Sequence, residues 1–138
     1  MMERLNPQSA LIYVMVVVSA ADRRMSDREL KAIGNIVQTL PVFRGFDPEH
    51  LVPTAEACAT LLAAEEGLNP VLRRVSESLP ERLKETAYAL AVEVATADGG
   101  HLSQEVLRLL ELIRFALPVD PLVAAAIERA ARARQAHL

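Results

Sequence analysis

Two stretches of the chain place an aspartate where a helix pattern gives way to a turn. Val18-Ser19-Ala20-Ala21-Asp22-Arg23-Arg24-Met25-Ser26 is echoed by Val94-Ala95-Thr96-Ala97-Asp98-Gly99-Gly100-His101-Leu102-Ser103. Each is an apolar helical run that reaches Ala-Asp, crosses a short turn and restarts at a Ser. A carboxylate at the carbonyl end of a helix faces the negative pole of the macrodipole, which is unfavourable unless something positive sits nearby. Two explanations stand. Each Asp could accept backbone amides in an Asx-type turn between helices. Alternatively, the two turns could pack face to face and share an oxygen-rich site. Carboxylates without thiolates or clustered imidazoles suit hard cations such as Ca²⁺, Mg²⁺ or Mn²⁺. The candidate ligands are Asp22, Asp98, Glu29, Glu105 and Glu93. Glu93 lies five residues before Asp98 and does not share one clean helix face with it. Glu29 is better placed to cap a helix than to serve as a ligand.

Other chemistry-bearing residues lack a constellation. His101 sits on the Gly-rich second turn, where a solvated imidazole is the simpler reading. His50 and His137 stand apart, and Glu65-Glu66 belongs on a solvated face. Arg73-Arg74 and the C-terminal arginines could meet an acidic partner, although dipole compensation accounts for the latter. Cys58 is the single cysteine. It excludes an intrachain disulfide, a thiolate zinc site and a CxxC redox centre, and its Ala/Leu-rich surroundings predict a small buried residue. There is no Ser-His-Asp order, phosphate loop or HExxH. The twelve-residue loop of an EF-hand is also absent. A carboxylate-dependent enzyme is therefore the least favoured class, and the chain is expected to be non-enzymatic.

The elements that must position the two turns are helices. The chain has 138 residues, which favours one domain, 1–138. It is 51% hydrophobic but only 4% aromatic, so the core must be built from Leu, Val, Ile and Ala. A net charge of -3 gives no basic field for nucleic acid or an anionic membrane. The apolar run Leu11 to Ala21 has the look of a signal peptide, but Glu3 cancels Arg4 and helix signals bracket the run. It is also shorter than the roughly 20 residues needed to span a bilayer. A buried helix, no membrane insertion and a cytoplasmic protein are expected.

Helical periodicity continues along nearly the whole chain, and no segment alternates as a strand. The expected fold is all-α, with about seven helices. The first runs from Pro7 to Ala21, against the β preference of Val16-Val17-Val18. The second opens with the capping box Ser26-Asp27-Arg28-Glu29 and carries a stripe of Leu30, Ile33, Ile36, Val37 and Leu40. Gly34 inside it predicts a close helix contact. Pro41 to Phe46 is loop. Asp47-Pro48 opens a segment that Pro53 kinks or splits and that ends at Gly67. Further helices start at Asn69-Pro70, Leu79-Pro80, Ser103 and Asp120-Pro121.

The repeat is inexact. An offset of 77 residues superposes Ser26 on Ser103 and Leu40-Pro41-Val42 on Leu117-Pro118-Val119, whereas an offset of 76 superposes Asp22 on Asp98. The second turn thus carries one extra residue. The pseudo-repeat halves are about 7–46 and 80–119.

The spacing Asp22-x-x-x-Ser26-x-x-Glu29, with Ala97-Asp98-Gly99 in the second copy, resembles the TerB family of tellurite-resistance-associated proteins, whose core motif is A-D-G-x-ϕ-S-x-x-E. The likeness runs from about Leu11 to Ile127. It implies an all-α fold, an acidic cluster proposed to bind a divalent metal, and a stress-response role with a protein partner, as part of a membrane-associated complex. The carry-over reaches Asp22, Glu29 and Asp98. The chain departs from the motif at Arg23, where a Gly is expected, and at Val106, which takes the place of the second Glu. Glu105 could substitute, about 100° around the helix. A helical interaction module without metal is the alternative.

Overall fold

The computed structural model describes residues 5–21, 27–97 and 102–138. Seven α-helices account for the described architecture: α1 Pro7–Ala20, α2 Asp27–Thr39, α3 Leu51–Leu62, α4 Leu68–Ser78, α5 Glu81–Ala95, α6 Gln104–Ala116 and α7 Pro121–Gln135. Two 3₁₀ turns, Pro41–Phe43 and Pro48–His50, lead from α2 into α3. No strand occurs among the described residues, so the fold is all-α.

Local chemistry sets the helix starts. Asn6, Asp47 and Asp120 each stand before a Pro at the first helical position, where the missing N–H is not needed. Asn6 Oδ1 accepts the Ser9 N–H at 2.8 Å, and Asp120 Oδ1 accepts that of Leu122 at 2.8 Å. Ser103 Oγ accepts the Val106 N–H at 3.2 Å and starts α6. Pro53 neither kinks nor splits α3, because it falls in the first turn, where it displaces no hydrogen bond. The break comes earlier, where the 3₁₀ turn ends at His50 and α3 begins at Leu51.

Helix α1 is the axis of the core. Ten consecutive residues, Ala10 to Ser19, are buried. A helix apolar on all sides must be enclosed, and α3, α4 and α5 enclose this one, with smaller contacts from α2 and α6. Magnitudes explain why the valine run is helical. Burying seven large aliphatic side chains contributes roughly 10–20 kcal/mol. The helix-propensity penalty of the β-branched residues totals only about 2–3 kcal/mol. Tertiary burial therefore overrides local preference.

Helix α2 departs from its expected face. Glu29, Ile33, Ile36 and Val37 point inward, while Leu30 is 50% exposed. The inward stripe steps four residues back from Ile33, to Glu29, rather than three. Gly34 makes no close contact: a Cβ built there would meet nothing within 4 Å. Gly67 does not end α3, which stops at Leu62. It precedes α4 with φ +53°, a region that side-chain-bearing residues rarely adopt.

The helix pairs α1–α2 and α5–α6 pack crosswise. Helix α1 contacts both α5 and α6, and α5 contacts α2 as well as α6. Helix α7 closes the bundle over α5.

Candidate functional site

Asp22, Ser26, Asp98 and His101 lie outside the described residues, as do Gly99 and Gly100. Their flanks are described. Helix α1 closes with the Ala21 N–H donating to Val18 O at 3.2 Å. Helix α5 closes through Thr96, whose N–H donates to Val92 O at 3.0 Å and whose buried hydroxyl donates to the same carbonyl at 2.9 Å.

Each flank borders the start of the opposite pair's second helix. Ala20 and Ala21 share a groove of about 440 Å³ with Glu105 and Arg108, in the first turns of α6. Ala97 shares a groove of about 710 Å³ with Arg28 and Lys31, in the first turns of α2. The chain enters the first turn beside the helix that follows the second, and enters the second beside the helix that follows the first. That crossing follows from the packing of α1 on α6 and of α5 on α2.

The three described carboxylates expected near the turns differ in their surroundings. Glu29 is the third residue of α2, 5% exposed and already engaged, which suits the capping role of that position. Glu93 borders the larger groove, and its carboxylate is held by Arg134 through contacts of 3.1 and 3.0 Å. Two parallel contacts from one guanidinium neutralise it. Glu105 is exposed, makes no ion pair among the described residues and stands across the groove from Ala20 and Ala21. Among the described residues, no three His, Cys, Asp or Glu side chains converge as a metal would need. Of the three, Glu105 alone is exposed and without an ion pair among the described residues.

Cys58 is fully buried, as expected, and its Sγ donates to Tyr13 O at 3.7 Å. Burial pushes its thiol up to about 12, so it is not a nucleophile near neutrality. His50 lies 4.0 Å from Asp47 and meets Phe46 edge-on, a local turn arrangement.

A second polar cluster has no counterpart in the turn motifs. Tyr88, 1% exposed, donates its hydroxyl to Glu128 Oε2 at 2.5 Å. Burial first, then Glu128, raises the phenol well above its ordinary range, while Arg114 pulls the other way. The sequence signal was slight: a Tyr inside an apolar helix face and two Glu/Arg pairs at helical spacing, Glu111–Arg114 and Glu128–Arg132.

Comparison with family models, curated proteins and solved structures found no match. Among the described residues, no helix is long and apolar enough to cross a membrane.

Proposed function

We propose that the chain is a TerB-like, non-enzymatic helical domain that holds a divalent cation through the acidic residues of its two Ala-Asp turns. Asp22 and Asp98 are the principal ligands, and Glu105 is the third donor. The observation that carries this reading is the crossed packing of the flanks, which sets Ala21 beside Glu105 and Ala97 beside the start of α2. An exposed carboxylate at one flank supports an all-oxygen site of hard-cation type. Glu29 is assigned to the start of α2 rather than to the ion, and Glu93 stays with Arg134. In this reading the protein is cytoplasmic and acts in a stress response of the tellurite-resistance kind, through a protein partner.

Calorimetric titration with Ca²⁺, Mg²⁺ and Mn²⁺ tests the proposal. Saturable heat is expected for the wild-type chain with at least one of the three. It should be abolished in the double variant Asp22→Ala, Asp98→Ala. Absence of heat with all three ions, or equal heat from the double variant, would overturn it.

A second reading, an interaction module without metal, draws on α6. Leu112 and Phe115 lie on one face of that helix, with Phe115 63% exposed. Clustered apolar exposure of this kind often marks a contact surface. Under this reading, chelator leaves the melting temperature unchanged; under the first, it lowers it.

A further inference from the structure

The groove between α5, α6 and α7 has a volume of about 540 Å³, within the ~300–1,000 Å³ range of small-molecule sites. Its walls combine the apolar Val92, Leu107 and Leu110 with four charged groups: Glu111 and Arg114 from α6, Glu128 and Arg132 from α7. The charges balance, yet none of the four forms an ion pair among the described residues. Arg114 is close enough to bear on the Tyr88 phenol, and its guanidinium lies 4.5 Å from the centre of the Phe115 ring. Glu128 is fixed from below by the buried Tyr88 hydroxyl. The groove thus offers a positioned acceptor and a positioned donor that do not satisfy each other.

We propose that this groove binds an α-amino acid with an aliphatic side chain. The ligand carboxylate would meet Arg114 and Arg132, its ammonium would meet Glu128 and Glu111, and its side chain would lie on Leu107 and Leu110. A simple anion would leave both carboxylates unanswered, and a simple cation would leave both guanidiniums so. Only a ligand carrying both charges matches a neutral set of four separated groups. Charge-assisted contacts of this sort are the strong ones in a partly desolvated groove. The site is separate from the cation reading of the turns.

The test uses the full chain in the presence of EDTA, so that its outcome does not depend on a metal. Leucine, valine and methionine are titrated by calorimetry alongside two single-charge analogues of leucine, 4-methylpentanoate and 3-methylbutylamine. At least one amino acid should bind saturably, with both analogues weaker by about tenfold or more. Arg114→Gln and Arg132→Gln should each weaken binding to a similar extent, with an unchanged circular dichroism spectrum. Arg132 is exposed, so its variant keeps the test alive if the other misfolds. No binding by any of the three amino acids, equal binding by either analogue, or undiminished binding by a folded Arg132→Gln chain would overturn the proposal.

Discussion

Arg134, in the last turn of α7, lays its guanidinium across the Glu93 carboxylate of α5, with Nη1 donating to Oε2 at 3.1 Å and Nη2 lying 3.0 Å from Oε1. The pair ties the C-terminal helix to the helix that leads into the second turn. It also occupies a carboxylate that lies five residues before Asp98. Arg134 is 69% exposed and Glu93 28% exposed, so the pair is largely solvent-screened. Arg134→Ala should cost about 0.5–1 kcal/mol at low ionic strength and less at high salt. In a double-mutant cycle with Glu93→Ala, the two costs should not add. Additive costs would mean the two side chains act independently.

The same pairing separates two carboxylates in their effect on cation binding. Glu105→Ala should weaken divalent-ion affinity measured by calorimetry, because it stands beside Ala21 without an ion pair among the described residues. Glu93→Ala should leave that affinity unchanged. The reverse order would move the site from the α1–α6 groove to the α2–α5 groove.

Two glycines should respond in opposite directions. Gly34 lies inside α2 with open space where a Cβ would go. Gly34→Ala should therefore stabilise the fold by about 0.4–1 kcal/mol. Gly67 has φ +53°, and its Cβ would stand 3.2 Å from the Leu62 carbonyl. Gly67→Ala should destabilise by roughly 1–3 kcal/mol. Urea denaturation of both variants checks the pair, and a destabilised Gly34→Ala chain would reinstate a close contact at that helix face.

Alkaline stability should depend on Cys58. Its thiol pKa is about 12 in the fold against 9.0 when unperturbed. Between those values the unfolded chain releases a proton that the folded chain retains, which favours unfolding. The contribution of the neutral buried thiol is complete below pH 9 and is lost as pH rises towards 12. Tyr88, also raised, adds to the same limb above its ordinary pKa of 10.0. Cys58→Ala should flatten the first part of that limb while costing about 1 kcal/mol at neutral pH. Equal slopes for both chains between pH 9 and 10 would show that the thiol titrates normally in the fold.

Much of the fold was legible because its punctuation is local. Asp47-Pro48, Ser103 and Asp120-Pro121 start helices through side-chain caps and fixed φ, and these signals need no tertiary context. Less was legible where packing decides. Leu30 and Glu29 are adjacent, and periodicity alone put the leucine inward. The packing instead buries the glutamate, the third residue of α2. Gly34 suggested a close contact, because a costly residue implies a reason, but the neighbouring helices leave it open. For the site, the Asp-turn repeat was visible as spacing, whereas the fate of Glu93 was not. Its partner Arg134 is 41 residues away, and only the docking of α7 on α5 brings them together. The Tyr88–Glu128 pair, 40 residues apart, was hidden for the same reason.

The most direct test of the central claim is Mn²⁺ titration followed by electron paramagnetic resonance, in which the six-line signal of the free aqueous ion fades as it binds. The cation reading predicts that the wild-type chain attenuates the signal to saturation at a single ion per chain. Asp22→Asn with Asp98→Asn, which keeps side-chain shape and removes both charges, should leave the signal at its buffer intensity. A double variant that attenuates the signal equally, or a wild-type chain that leaves it unchanged and also gives no heat with Ca²⁺ or Mg²⁺, would contradict the account.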